Sequence, residues 1–132
     1  MAHTNRPLSP HLSVYRWEVS NALSFLHRAT GVMLSVGALA FNLWLIGIAA
    51  GPDAYLGVVG WLRSPIGVLL LLGWSFAFFY HLCNGVRHLF WDAGYGFEIA
   101  RARATGIAAL GVAAVMTAVF WIVALTTGGG AS

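Results

Sequence analysis

Along most of this chain the polar positions are too sparse to mark out a water-facing side. Apolar residues run almost unbroken over about residues 29–50, 66–90 and 106–125, and a bilayer core takes about 20 such residues of helix. Three transmembrane helices are therefore expected. The punctuation agrees. Gly51-Pro52 ends the first run, and Ser64-Pro65 opens the second with an N-cap and a first-turn proline. Between these two runs, the stretch from Asp53 to Leu62, with Tyr55 and Trp61, reads as a segment lying along the membrane interface. Gly128-Gly129-Gly130 reads as a disordered tail. The organisation expected is an inner-side arm with the start of the first helix over residues 1–28, then a three-helix transmembrane anchor over residues 29–132. No soluble domain is left over.

Composition sharpens this picture. Hydrophobic residues make up 59% of the 132-residue chain and charged ones 8%, against roughly 25% charged in an ordinary soluble domain. So few charges cannot cover a water-facing surface, and lipid must be the solvent. The net charge of +3 comes from seven arginines without a lysine. That excess is too small and too scattered for nucleic acid, but its placement matters. Arg6, Arg16 and Arg28 precede the first apolar run, and Arg87, Arg101 and Arg103 flank the connection between the second and third. Only Arg63 lies in the other loop. Positive charge favours the inner side, so the expected fold is an all-α membrane protein with its N-terminus inside and its C-terminus outside.

The single cysteine, Cys83, excludes an internal disulfide, a thiolate zinc site and a four-cysteine iron–sulfur cluster. It reads as a small packing residue. No Cys-x-x-Cys-His is present for c-type haem attachment. Residues 1–24 hold no apolar stretch of signal-peptide length, so no cleavable export signal is expected.

Ionisable side chains are costly inside lipid and mark function by default. The inner half of the second span carries His81, Asn84, Arg87, His88 and Asp92. At 100° per residue, His81, Gly85, His88 and Asp92 fall on one stripe. A membrane histidine serves as haem ligand, proton relay or hydrogen-bond partner to another helix. Gly85 favours haem, because it removes the side chain that would hinder a flat macrocycle against the helix. A histidine bonded across a glycine-mediated packing seam is the open alternative. His81 lies roughly 10 Å deeper than His88. That depth order suits iron in the apolar interior and propionates at the inner surface, where His88, His27 and Arg28 could receive their charge. Topological anchoring is the plainer reading of Arg28.

A second stripe, Ser24, Arg28, Gly31 and Ser35, lies at the start of the first span. A hydroxyl and a guanidinium at the membrane boundary could hydrogen-bond the carbonyl oxygens of a lipid-soluble quinone, with Trp17 as an aromatic wall. Close helix packing by small residues, with tryptophan in an interface belt, explains the same pattern.

Two longer patterns carry a family resemblance. One runs from Arg6-Pro7-Leu8 through Leu12 to Ser24-Phe25-Leu26-His27-Arg28-Ala29-Thr30. The other is His81-x-x-x-Gly85-Val86-Arg87-His88-Leu89-Phe90-Trp91-Asp92-Ala93-Gly94. Both resemble the cytochrome b subunits of succinate dehydrogenase, the larger membrane anchors of respiratory complex II. The patterns occupy about a third of the chain, the three-helix layout extends the match, and neither pattern shows a departure. The resemblance implies that His81 is an axial ligand of haem b, with His27, Arg28 and His88 near the propionates. It implies a quinone site at Ser24 and Arg28, with Asp92 and Trp17 more loosely placed nearby. Its implied partners are a flavoprotein subunit, an iron–sulfur subunit and a second small anchor with its own haem histidine. It further implies a bacterial cytoplasmic membrane or a mitochondrial inner membrane.

The residues agree about what this chain leaves to others. It has neither a dinucleotide fingerprint nor the cysteines for clusters, so succinate oxidation and the electron wire belong to other chains. Two rival readings are a haem-free structural anchor and a small transporter subunit using its histidines as a relay. The His81-x-x-x-Gly85 motif argues against the first.

Overall fold

The protein is described here by a computed structural model covering residues 18–128. The expected N-terminal arm, including Trp17, and the end of the glycine tail lie outside these residues. Within them the chain forms four helices: α1 (Val19–Ala50), α2 (Pro52–Leu62), α3 (Pro65–Asp92) and α4 (Ile99–Gly128). The three expected spans are α1, α3 and α4, each long and apolar enough to cross a membrane.

Helix boundaries follow local chemistry. Gly51 ends α1 with φ 113°, a conformation open to glycine at little cost, and Pro52 opens α2 at its first turn. The Ser64 hydroxyl accepts the Gly67 N–H at 3.2 Å, capping α3, and Pro65 follows it. Both ends therefore fall where the punctuation places them.

The outer limits differ from expectation. α1 begins at Val19 rather than near residue 29, and α4 at Ile99 rather than near residue 106. The apolar run marks the hydrocarbon, whereas the helix continues wherever its backbone hydrogen bonds can. At 1.5 Å per residue the 32 residues of α1 span roughly 48 Å, well beyond a hydrocarbon core of about 30 Å. Ser24, His27 and Arg28 therefore stand on α1, as expected for the start of the first helix. Gly128 also belongs to α4 instead of a loose tail. The stretch from Asp53 to Leu62 is helical, with Tyr55 and Trp61 exposed. It folds back on α1, where Val58 sits against Gly47.

α3 is the centre of the bundle and packs on both α4 and α1. Its pairing with α4 is antiparallel: Arg87 meets Thr105 near one end, and Trp121 meets Ser75 toward the other. The core is small. Leu23, Tyr80 and Ala113 are buried together, with Val19, Leu26, Phe76 and Phe79 against them. Glycines make the close approaches. Gly106 takes the Leu23 side chain and Gly37 takes the Trp74 indole, leaving no room for a Cβ at either position. Most large apolar side chains point outward, among them Leu39, Ile66 and Leu69, as a lipid-facing or subunit-facing surface requires.

Candidate functional site

The inner half of the α1–α3 contact gathers three histidines. His27 on α1 stacks on His81 of α3, with ring centroids 4.1 Å apart and planes 15° from parallel. His88 approaches the other histidine of this pair from one end: its ring lies 5.0 Å from His27, tilted by 41°. His27 thus bridges the depths of His81 and His88.

The His81 ring is held by hydrogen bonds to α1. Its Nδ1 lies 3.2 Å from the His27 carbonyl oxygen and 3.2 Å from the Thr30 hydroxyl. A carbonyl can only accept, so the proton belongs on Nδ1 and the lone pair on Nε2. One ring nitrogen is thereby spent on helix packing and the other is left with ligand character. Gly31 makes room for the ring, since a Cβ there would lie 3.2 Å from His81 Cε1.

Gly85 behaves differently from the packing glycines. A Cβ at this position would meet nothing within 4 Å. No helix seam within the described chain requires this glycine, and the surface beside it, one turn from His81, is open. His27 Nε2 is buried without a hydrogen-bond partner among the described residues. Leaving such an atom unsatisfied is costly, and it marks a place for a polar group from beyond the described residues. A histidine in a fixed tautomer, open helix surface beside it and an unpartnered nitrogen nearby fit a flat, carboxylated macrocycle such as haem.

The remaining expected site residues are spread around this cluster. Ser24 and Arg28 are exposed on α1, Asp92 is exposed at the last residue of α3, and His88 is half-buried. The stripe that includes Ser24 is split: Ser35 is exposed and turned onto its own helix, donating to the Gly31 carbonyl, while Gly31 faces His81. Trp17 lies outside the described residues.

A second polar chain sits beside the histidines. The Tyr80 hydroxyl donates to the Leu23 carbonyl at 2.9 Å and accepts from Asn84 at 3.1 Å. Arg87 Nη1 donates to Asn84 Oδ1, while its Nε and Nη2 reach Thr105 and the Ala102 carbonyl on α4. The guanidinium also lies 4.0 Å from the centre of the Trp91 ring. Tyr80 and Asn84 are 0% and 1% exposed, so this network joins three helices rather than facing a ligand. Sequence reasoning singled out Asn84 and Arg87 without a role, and passed over Tyr80 and Thr30. Thr30 did carry a signal, for a hydroxyl three residues after His27 can bond back to its carbonyl, and it does so at 2.9 Å. A 610 Å³ cleft between α3 and α4 lies on other faces of α3 and is lined by Cys83, Arg87, Trp91 and Tyr95.

Comparison with known proteins places this arrangement. Residues 2–120 match the family described as succinate dehydrogenase/fumarate reductase transmembrane subunit. A succinate dehydrogenase cytochrome b556 subunit of Rickettsia felis is 41% identical over 91% of this chain and 94% of its own length. The cytochrome b556 subunit of Paracoccus denitrificans is also 41% identical, over 90% of this chain and 94% of its own. A mitochondrial cytochrome b560 subunit of Sus scrofa is 38% identical over 81% of this chain and 64% of its own. With three apolar spans and bacterial and mitochondrial relatives, the chain is a multi-pass protein of an inner membrane. It belongs to the succinate dehydrogenase/fumarate reductase transmembrane subunits, among the cytochrome b subunits of succinate dehydrogenase.

Proposed function

We propose that this chain anchors a succinate:quinone oxidoreductase in the membrane, holds haem b jointly with a second small anchor subunit, and forms part of the quinone-reduction site. It does not itself oxidise succinate. A flavoprotein subunit and an iron–sulfur subunit do that and deliver the electrons. The observation that carries the haem reading is His81, whose Nδ1 is spent on the His27 carbonyl beside the open surface at Gly85. His81 Nε2 would hold the haem iron. His27, with its unpartnered buried Nε2, His88 and Arg28 hold the propionates. Haem b, when bound, supplies a one-electron redox centre. On the inner side, Ser24 and Arg28 bind a quinone carbonyl, with Asp92 and Trp17 near them.

Ring geometry supports sharing with a second subunit. A bis-histidine iron needs one imidazole on each side of the macrocycle. His27 lies flat beside His81 at 4.1 Å, so the two rings cannot bring a nitrogen each to one iron from opposite faces. His81 and His88 project from the same side of one helix. His3 and His11 belong to the polar N-terminal stretch, so the second ligand would come from another chain.

An absorption spectrum tests this reading. Coexpressed with a second anchor, the protein is expected to give a sharp Soret band and reduced α-band. His81→Ala should abolish or severely disturb that spectrum, with His88→Ala doing less. Expressed alone, the chain should hold little stoichiometric low-spin haem. A tightly bound bis-histidine haem on the single chain would sink the shared site, and absence of any haem would leave a purely structural anchor.

A further inference from the structure

We propose that Thr30 is a positioning residue for His81, and that its hydroxyl helps set the redox potential of the haem. The proposal rests on the reading of His81 as axial ligand. Thr30 is 2% exposed, one of the few buried polar groups, and its hydroxyl closes a triangle of three short contacts. Oγ1 donates to the His27 carbonyl at 2.9 Å. It also stands 3.2 Å from His81 Nδ1, which is itself 3.2 Å from that carbonyl.

The triangle holds two protons and a defined set of acceptors. The carbonyl oxygen has two lone pairs and takes both the hydroxyl proton and the Nδ1 proton. With its own proton on the carbonyl, Oγ1 turns a lone pair toward Nδ1–H. That proton is therefore shared between two acceptors, both from α1, and the ring is pinned in tilt as well as in tautomer. Acceptors at the far nitrogen make the ligating nitrogen more basic, and a more basic ligand favours the oxidised metal. Thr30 thus holds the potential down. The β-methyl of threonine fills space, but only the hydroxyl contributes this effect, so shape and chemistry can be separated.

The test uses the assembled complex and three substitutions. Thr30→Val keeps the volume and removes the acceptor, while Thr30→Ser keeps the acceptor and removes the methyl. His81→Ala tests the underlying ligation. In a redox titration followed by the α-band, Thr30→Val is expected to raise the midpoint potential. Its oxidised-to-reduced ratio should change about tenfold, which is about 59 mV for a one-electron couple. Thr30→Ser should titrate with the unsubstituted protein. The low-spin EPR signal should broaden in the valine variant alone, because its ring is less fixed. If the valine variant assembles poorly, Thr30→Ala carries the same expectation. An unchanged or lowered potential in the valine variant overturns the proposal, and so does a serine variant shifted as far as the valine one. Retention of the low-spin signal by His81→Ala would instead remove the ligation reading, and the proposal with it.

Discussion

Ser24 and Arg28 stand one turn apart on the exposed side of α1, next to the histidine cluster but outside its stacked rings. A quinone carbonyl taking hydrogen bonds from both would lose about 1.5–3 kcal/mol with the guanidinium, and less with a neutral hydroxyl. Arg28→Leu is accordingly expected to slow quinone reduction by about tenfold to a hundredfold, with Ser24→Ala doing less. Succinate oxidation by a water-soluble artificial acceptor should stay nearly intact in both, because flavin and clusters are untouched. Normal quinone rates with normal apparent affinity in both variants would remove these residues from the pocket. At this scale, much of the candidate site is legible in the sequence, because a histidine in an apolar run is conspicuous by its cost. Thr30 is not, because its importance arises only where α1 meets α3. Tyr80 is hidden for another reason: an aromatic residue in an apolar run looks like core until its hydroxyl finds the Leu23 carbonyl.

Between elements, the α3–α4 contact depends on Arg87, which makes two hydrogen bonds across to α4 and one to Asn84 on its own helix. Interhelical bonds in a membrane average about 0.6 kcal/mol each, and bonds to a charged group run higher, about 1.5–3 kcal/mol. Arg87→Leu also leaves Asn84 Oδ1 buried without its donor. A loss of about 1–3 kcal/mol is expected from these terms, read as a lower melting temperature of the detergent-solubilised complex. Arg101 offers the contrast: its pair with Glu98 is an exposed i,i+3 contact, of a kind worth little. Arg101→Leu should melt with the unsubstituted protein. Equal melting of all three proteins would mean that the Arg87 network adds nothing to helix association. The three spans themselves are read easily, since each is a long apolar run. Their inner ends are not. The first three turns of α1 and the first two of α4, with Asn21, Arg28, Arg101 and Arg103, look like polar flanks, yet the backbone continues its helical bonds through them.

On the scale of the whole molecule, orientation comes from charge. The start of α1, the end of α3 and the start of α4 lie at one end of the bundle, as the contacts of Leu23 with Tyr80 and Gly106 and of Arg87 with Thr105 show. Arg28, Arg87, Arg101 and Arg103 belong to that end, and Arg63 stands alone between α2 and α3 at the other. Lysine and arginine near span ends are retained on the inner side, so the arginine-rich end is expected to face inward and the end of α4 to face out. With three spans, the two termini are expected on opposite sides. A reporter fused after Ser132 is expected to be active only on the outer side, and one fused at Met1 only on the inner side. Reversed activities would reject the orientation while keeping three spans. Both reporters on one side would mean that one of α1, α3 and α4 does not cross, despite a length and hydropathy that suit it to do so. With that orientation, Ser24, Arg28 and Asp92 would stand near the inner aqueous boundary, where the two protons that the proposed quinone reduction consumes are at hand.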